Sequence, residues 1–513
     1  MCLSNEQLLE LLENNTDLGH AKRDACFVRQ VALALCSPGA PLPQAAGKGT
    51  SSMADLVSLY RFLDNDSIST GELRRTRAQT VLRAFPARGD VMIVHDMSLL
   101  DFSRQNAKSD RRPIGDHRGM GYEYICCAAV DPRRSALVGV IHDTVVNADG
   151  PDDAEEMDYD YEPFFQHFGE QEKKRLRENH RHQMAVHVNY LATLATGRRI
   201  IHVADREFDD IFLLDRHGQT QAEFVVRACA NRNVQVPQQD WIPQQAITKK
   251  QAGHPLKPGW VCVNLPRLVK AVPLHPYKEL ALDKRGRVCD RQRCARIADL
   301  SIGVCPVRLY RPAKRNKRYF RTPRPVELNM VVIREINPPP GAKPLCWILF
   351  TTLPVDTDQE LHYVAHLYEL RWKIESFFKL LKSGYRIERH RFDSAKKTAK
   401  LLVILSLAAM TLFQLKHELN LPTGGCLNEQ GYRKLKQATQ QLDNPEIDLR
   451  WRLLAFIAKS GGWLARRNDP LGPTILMRGL LQVLATLHAL ARHGPLLQQL
   501  IENPTLLRQL ICV

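Results

Sequence analysis

Six short, apolar, β-branched segments bounded by turn residues constrain this chain's fold more than any other feature. They are VMIVHDMS (91–98), YICCAAV (124–130), ALVGVIHDTVV (136–146), the start of RIIHVADREFDDIF (199–212), EFVVRA (223–228) and LCWILFTTLP (345–354). Val, Ile and aromatic enrichment in runs of this length is a strand signature. Helical patterns stand between and after them, at 173–196 and in the Pro-free stretch LHYVAHLYELRWKIESFFKLLKSG (361–384). The order is therefore three strands, a helix, two strands, a long interruption, one more strand and a helix. Strands and helices mixed in this way must share one core, with the helices laid on the faces of a sheet.

That succession suits a mixed α/β sheet of the ribonuclease-H type, flanked by helical N- and C-terminal regions. We expect a helical DNA-binding domain at 1–85, a first core segment at 86–228, a β-rich basic insertion at 229–344, a second core segment at 345–400 and a helical dimerisation region at 401–513. Ser4 with Gln7 and Ser69 with Glu72 are capping-box patterns that open helices. The Pro-, Gly- and Ser-rich stretch 37–52 reads as a loop. Residues 54–77 combine Tyr60, Phe62 and Leu63 with Arg61, Arg74, Arg75 and Arg77, which fits either a DNA-binding surface or a helical cap on the next domain.

With 513 residues, the chain exceeds one typical domain. Its 72 Lys and Arg against 55 Asp and Glu leave a net charge of +17, which favours a polyanionic partner, nucleic acid before a membrane surface. Residues 281–325 alone hold 14 Lys and Arg against three Asp, and RPAKRNKRYFRTPR (311–324) reads as a phosphate-gripping run. By contrast, 145–163 carries eight acidic residues and no Lys or Arg, and reads as an exposed loop. The N-terminus has no cationic and apolar leader, and the most apolar run, 401–415, is short for a membrane span and reads as a buried helix. Thirteen scattered cysteines point to reduced thiols in a cytoplasm, and Cys289 with Cys294 lacks a second pair at zinc spacing.

On a helical wheel, steps of three, four and seven place Tyr368, Arg371, Glu375 and Lys382 within roughly 60° of arc. Leu367, Leu370, Ile374, Phe377 and Leu381 fall on another side, fit to dock on a core. Gly384 is the expected C-cap. Taken alone, Arg371 and Glu375 are an ordinary i,i+4 pair worth about 0.2–0.5 kcal/mol. Two further carboxylates change that reading. Asp96 closes the apolar run MIVHD and Asp205 closes IIHVAD, and a carboxylate at the mouth of a buried strand gains nothing from packing. Three carboxylates can hold the divalent ions that assist phosphodiester chemistry. Asp101, Glu207, Asp209 and Asp210 are lower-ranked substitutes, since they lie beyond the strand ends.

Tyr368, Arg371, Glu375 and Lys382 match the Y-x2-R-x3-E-x6-K signature of bacterial cut-and-paste transposases of the insertion-sequence-four family, the group that includes the transposase of the kanamycin-resistance transposon five. HDMSLLDFS around Asp96, VADREFDDIF around Asp205, 334–355, SLYRFLDNDSIS and GGWLARRNDPLGP resemble the same family. The resemblance implies a DDE transposase with a ribonuclease-H-like core, in which Asp96, Asp205 and Glu375 are the catalytic metal ligands for two Mg²⁺ ions, with Mn²⁺ as a substitute. It further implies hydrolysis at transposon ends, a hairpin intermediate, joining of the 3′-hydroxyl to target DNA, and a homodimer on double-stranded DNA in a bacterial, nucleoid-associated setting. Tyr368, Arg371 and Lys382 would grip phosphates. Trp347 would stack on a flipped base, and Arg227 would hold the hairpin backbone. A nuclease with the same core but no strand transfer, and a transposase-derived DNA-binding protein, are the competing readings.

Overall fold

A computed structural model describes residues 5–36, 41–43, 53–85, 89–116, 118–152, 171, 178, 180–194, 197–210, 213–214, 222–229, 232–248, 256–282, 296–310, 325–418, 429–463, 471, 474–480 and 482–483. Among the described residues the chain opens with helices α1 (Asn5–Asn15), α2 (Ala21–Cys36), α3 (Met53–Asp64) and α4 (Thr70–Arg83). Strands β1 (Val91–Asp101), β2 (Arg112–Ile114), β3 (Gly119–Asp131) and β4 (Ala136–Val146) follow, then α5 (His180–Thr193). Next are β5 (Ile200–Ala204), β6 (Glu223–Arg227), β7 (Asn233–Pro237), β8 (Trp260–Asn264) and α6 (Leu265–Ala271). Strands β9 (His275–Leu282), β10 (Arg296–Leu309), β11 (Val326–Ile336) and β12 (Cys346–Thr351) lead to α7 (Asp358–Leu370) and α8 (Lys373–Lys379). Helices α9 (Ala395–Glu418), α10 (Glu429–Gln440) and α11 (Leu449–Ser460) come last.

All six expected strands form, within a single 12-stranded mixed sheet ordered β2-β3-β1-β5-β6-β12-β11-β10-β7-β8, with β4 on β3 and β9 on β10. Its centre, β1-β5-β6, is parallel, and the remaining pairs are antiparallel. Parallel strands are covered on both faces, which is why 91–94 is an unbroken apolar run and 201–204 is buried at every position, His202 included. This mixed sheet with helices at both ends is the α/β, ribonuclease-H-like architecture that the element order suggests. Residues 229–344 are β-rich among those described, and their strands extend the same sheet through β11 and β12.

Alternation along β1, β3 and β4 sends side chains to two faces. One face buries β1, β3 and β4 against the N-terminal helices, α7, α8 and α9. The other carries a second core in which Met184 and Val186 of α5, Phe224, Val226 and Phe350 meet the apolar residues of β7, β8, β10 and β11. Residues 401–410 are buried throughout, so the apolar run is a core helix. No helix among the described residues is long and apolar enough to cross a membrane.

Three local expectations are corrected. The stretch 361–384 is not one continuous helix: α7 begins at Asp358 under a capping box of Thr357 and Glu360, the path breaks at Arg371 and Trp372, and it closes in a π-helical turn (Leu380–Gly384). The chain leaves that turn through Arg386, in the left-handed region at φ 53°, and not through a left-handed Gly384. Second, the side chain of Asp152 in the acidic stretch is enclosed and paired with Arg74, because a guanidinium beneath it offsets its desolvation. Third, Asp96 does not end its strand, since β1 continues to Asp101. Ser69 caps α4 by accepting from Gly71 N and Glu72 N, as expected. The Ser4 cap, the rest of the acidic stretch beyond Asp152, the Cys289–Cys294 pair and the basic run 311–324 lie outside the described residues.

Candidate active site

Strand register brings the two aspartates together. His95 opposite Ala204 is the last β1–β5 pair, so Asp96 and Asp205 are the next residues on adjacent parallel strands. At Asp96 the strand is still paired with β3, opposite Cys126, which fixes its backbone. Asp205 lies just past β5 and caps a single 3-10 turn (Arg206–Phe208), its Oδ1 accepting from Arg206 N at 2.7 Å. The two carboxylates converge because they follow the last pair of two parallel strands that run side by side, although β1 itself continues beyond Asp96.

Arg371 joins them to Glu375. Its Nη1 donates to Asp96 Oδ2 at 3.1 Å, and its Nη2 lies 3.6 Å from Asp205 Oδ2 and 3.8 Å from Glu375 Oε1. One guanidinium thus touches carboxylates from three elements that are distant in sequence. It is only 3% exposed, stacked 4.5 Å from the Trp372 ring, and its buried Nε has no hydrogen-bond partner among the described residues. Glu375 is 47% exposed and forms the open side of the group.

The other expected residues divide. Tyr368 is buried and donates its hydroxyl to Asp205 Oδ1 at 3.3 Å, and Arg227 lies 3.5 Å from the same oxygen. Arg227 stands opposite Leu349 in the β6–β12 register, which aims it at this end of the sheet. Trp347, on β12, is 9% exposed with its ring edge-on to Tyr368 at 5.4 Å. Lys382 does not join the cluster. Its ammonium donates to Leu99 O and lies 3.7 Å from Glu388, because the break at Arg371 and the π-helical turn rotate it off the wheel position. Among the lower-ranked acids, Asp209 is buried, accepts from Cys229 N and pairs with Arg232 at 2.8 Å, a structural role. Asp101 accepts from Ser103 N and Oγ.

Electrostatics separate the two aspartates. Burial raises the Asp96 carboxyl above its ordinary pKa, with Asp205 and Glu207 adding to the rise and Arg371 opposing it. Burial acts on Asp205 too, but the Arg206 N–H, Arg371 and Arg227 outweigh it, so its pKa is lowered. The donor set, three carboxylates, suits a hard divalent cation. In this structure their charge is met by the guanidinium, and their oxygens are not gathered within 4.8 Å of one another. Among the described residues only His95, Cys127 and His187 stand so close. That buried histidine–cysteine group went unread in the sequence, although a His precedes each aspartate, in VHD and HVAD.

Residues 176–411 match the transposase DDE domain family. The matched stretch takes in Asp205, Arg227, Trp347, Tyr368, Arg371, Glu375 and Lys382, whereas Asp96 lies upstream of it.

Proposed function

We propose that this chain, which carries a transposase DDE domain, is a DNA transposase whose catalytic carboxylates are Asp96, Asp205 and Glu375. The observation that carries the assignment is the single buried guanidinium of Arg371 bridging all three. Carboxylates so distant in sequence are not drawn to one charge by packing alone. These oxygens would hold two Mg²⁺ ions, or Mn²⁺ in their place, which would supply charge stabilisation and nucleophile activation.

The protein's own groups orient the reaction. Asp96 and Asp205 are fixed by strand register, while Glu375, on the open side, is the carboxylate that can adjust as DNA arrives. Arg371 is a planar fork suited to phosphate as well as carboxylate, so it can turn from the acids to the scissile phosphate as DNA enters. Arg227 and the Tyr368 hydroxyl flank the Asp205 side of the same opening. Lys382, bound to a main-chain oxygen near Asp101, is placed to meet the DNA backbone farther out. Trp347 buttresses Tyr368, and stacking on a flipped base requires the indole to leave that packing.

The proposed sequence begins with water attack at the transposon end, which frees a 3′-hydroxyl and leaves a 5′-phosphate. The hydroxyl attacks the opposite strand to close a hairpin, a second water reopens it, and the same hydroxyl attacks target DNA. Double-stranded DNA is the partner, a homodimer the active assembly, and the helical C-terminal region the place where subunits meet. The test uses a duplex carrying the element's end, in Mg²⁺. Asp96→Asn, Asp205→Asn and Glu375→Gln each lose cleavage by about a thousandfold or more while retaining binding. Near-normal cleavage by any of them removes that residue from the triad, and pre-cleaved ends that never join a target plasmid reduce the activity to that of a nuclease.

A further inference from the structure

On the face of the sheet opposite Asp96, four histidines and a cysteine form a buried cluster that DNA cleavage does not use: His95, His142, His187, His202 and Cys127. Register builds it. His95 on β1 pairs with Cys127 on β3, and Cys127 pairs with His142 on β4, so three neighbouring strands project these side chains in one row. Helix α5 lies over that face and adds His187.

Cys127 Sγ lies 3.2 Å from His95 Nδ1 and 3.0 Å from His187 Nδ1, and the three groups offer donors all within 4.8 Å of one another. The far ring nitrogens are held as well. His95 Nε2 is 2.8 Å from His202 Nδ1, and His187 Nε2 is 2.8 Å from Thr144 Oγ1. Two imidazoles anchored through Nε2, with both Nδ1 atoms turned to one sulfur, have the arrangement of ligating histidines oriented by outer hydrogen bonds. Beside them the His142 ring centroid is 4.6 Å from that of His187, and both of its buried ring nitrogens lack a hydrogen-bond partner among the described residues.

We infer that His95 Nδ1, Cys127 Sγ and His187 Nδ1, with His142 as the adjacent fourth group, form a structural site for a borderline-soft metal ion of the zinc class. Thiolate and imidazole select such an ion, whereas the carboxylates on the opposite face select a hard one. Tetrahedral bond lengths for zinc imply sulfur-to-nitrogen edges of roughly 3.5 Å, so the sulfur and the two nitrogens part by about 0.3–0.5 Å. On binding, Cys127 releases its thiol proton to solvent, and no other covalent bond forms or breaks. A bound ion ties β3 and α5 to β1 one residue before Asp96.

The test is metal content and cobalt spectroscopy on the full-length protein, expressed with zinc or cobalt in the medium and kept reduced. The expected result is about one ion per chain and, with Co²⁺, a thiolate charge-transfer band together with tetrahedral visible bands. Glu375→Gln keeps both signals, which separates this site from the carboxylates. Cys127→Ser loses the charge-transfer band, and its metal content falls about tenfold or more. Wild-type protein that carries no metal, or binds cobalt with no thiolate band, overturns the inference, as does a Cys127→Ser variant that retains the band. If Cys127→Ser does not fold, the wild-type spectrum decides.

Discussion

Arg371 concentrates the residue-scale argument. A unit charge about 4 Å from another interacts by roughly 4 kcal/mol at an effective dielectric near 20, and exposure on the Glu375 side screens part of that. If these acids hold metal as proposed, the guanidinium in DNA-free protein would compete with divalent cations for the same oxygens. Arg371→Ala is expected to tighten Mn²⁺ binding by DNA-free protein by about tenfold or more, read by paramagnetic resonance or calorimetry, while end cleavage falls. Unchanged affinity would show that the contacts at 3.1, 3.6 and 3.8 Å do not hold the acids back from metal. Arg371→Lys keeps the charge but loses the fork, so its affinity should stay near wild type although cleavage is weakened. The three acids stand out in the sequence because two close apolar runs and one sits in a spaced signature. The direction Arg371 faces does not, since a wheel gives an azimuth and no partner.

The same limit acts on whole elements. The stretch 361–384 contains no Pro and no internal Gly, so nothing local announces the break at Arg371 and Trp372. The interruption falls where the guanidinium is held among carboxylates of β1 and beyond β5, a tertiary pull that helix propensity does not encode. The start of α7 is encoded locally: Thr357 Oγ1 accepts from Glu360 N at 3.3 Å, and Glu360 Oε2 accepts from Thr357 N at 3.0 Å. This cap anchors the helix that carries Tyr368 and leads into Arg371. Thr357→Ala should cost about 1 kcal/mol at this helix end. Expressed as amide hydrogen exchange in the first turn of α7, that is roughly a fivefold loss of protection, with the core strands unaffected. Protection left intact would mean that packing of Leu361, Val364 and Leu367, and not the cap, sets where the helix starts.

At the scale of the whole molecule, two basic residues of the N-terminal region, Arg74 and Arg77, have a structural use that charge counting could not reveal. Arg74 and Arg77 are buried and converge on Asp143 of β4, with Arg74 Nε 2.7 Å and Arg77 Nη1 2.8 Å from its oxygens. Tyr124 donates to the same carboxylate, Arg77 also donates to Ser406 of α9, and Arg74 reaches Asp152. Lys400 of α9 donates to Leu63 O and Asn65 O, a second tie to the N-terminal helices. The helical cap considered for residues 54–77 is therefore what these two arginines build. Asp143 comes from the apolar strand ALVGVIHDTVV, whose β-branched composition gave the strand but not a partner about 66 residues away in sequence. Burial by itself would lift the Asp143 carboxyl, but Arg77 and Arg74 overcome it and hold its pKa far below the usual carboxylate range. A depressed folded-state pKa contributes stability that is present above the ordinary value near 3.9 and is lost as pH falls below it. Asp143→Asn removes the central anion and leaves two guanidiniums buried, at an expected cost of about 3–5 kcal/mol at neutral pH. Denaturant unfolding should then show the variant losing less stability than wild type between about pH 4 and pH 2, because the group that titrates in that window is gone. A variant as stable as wild type at pH 7, with the same acid slope, would mean that apolar contacts of α4 and α9 with β4 hold the N-terminal helices without the ion network.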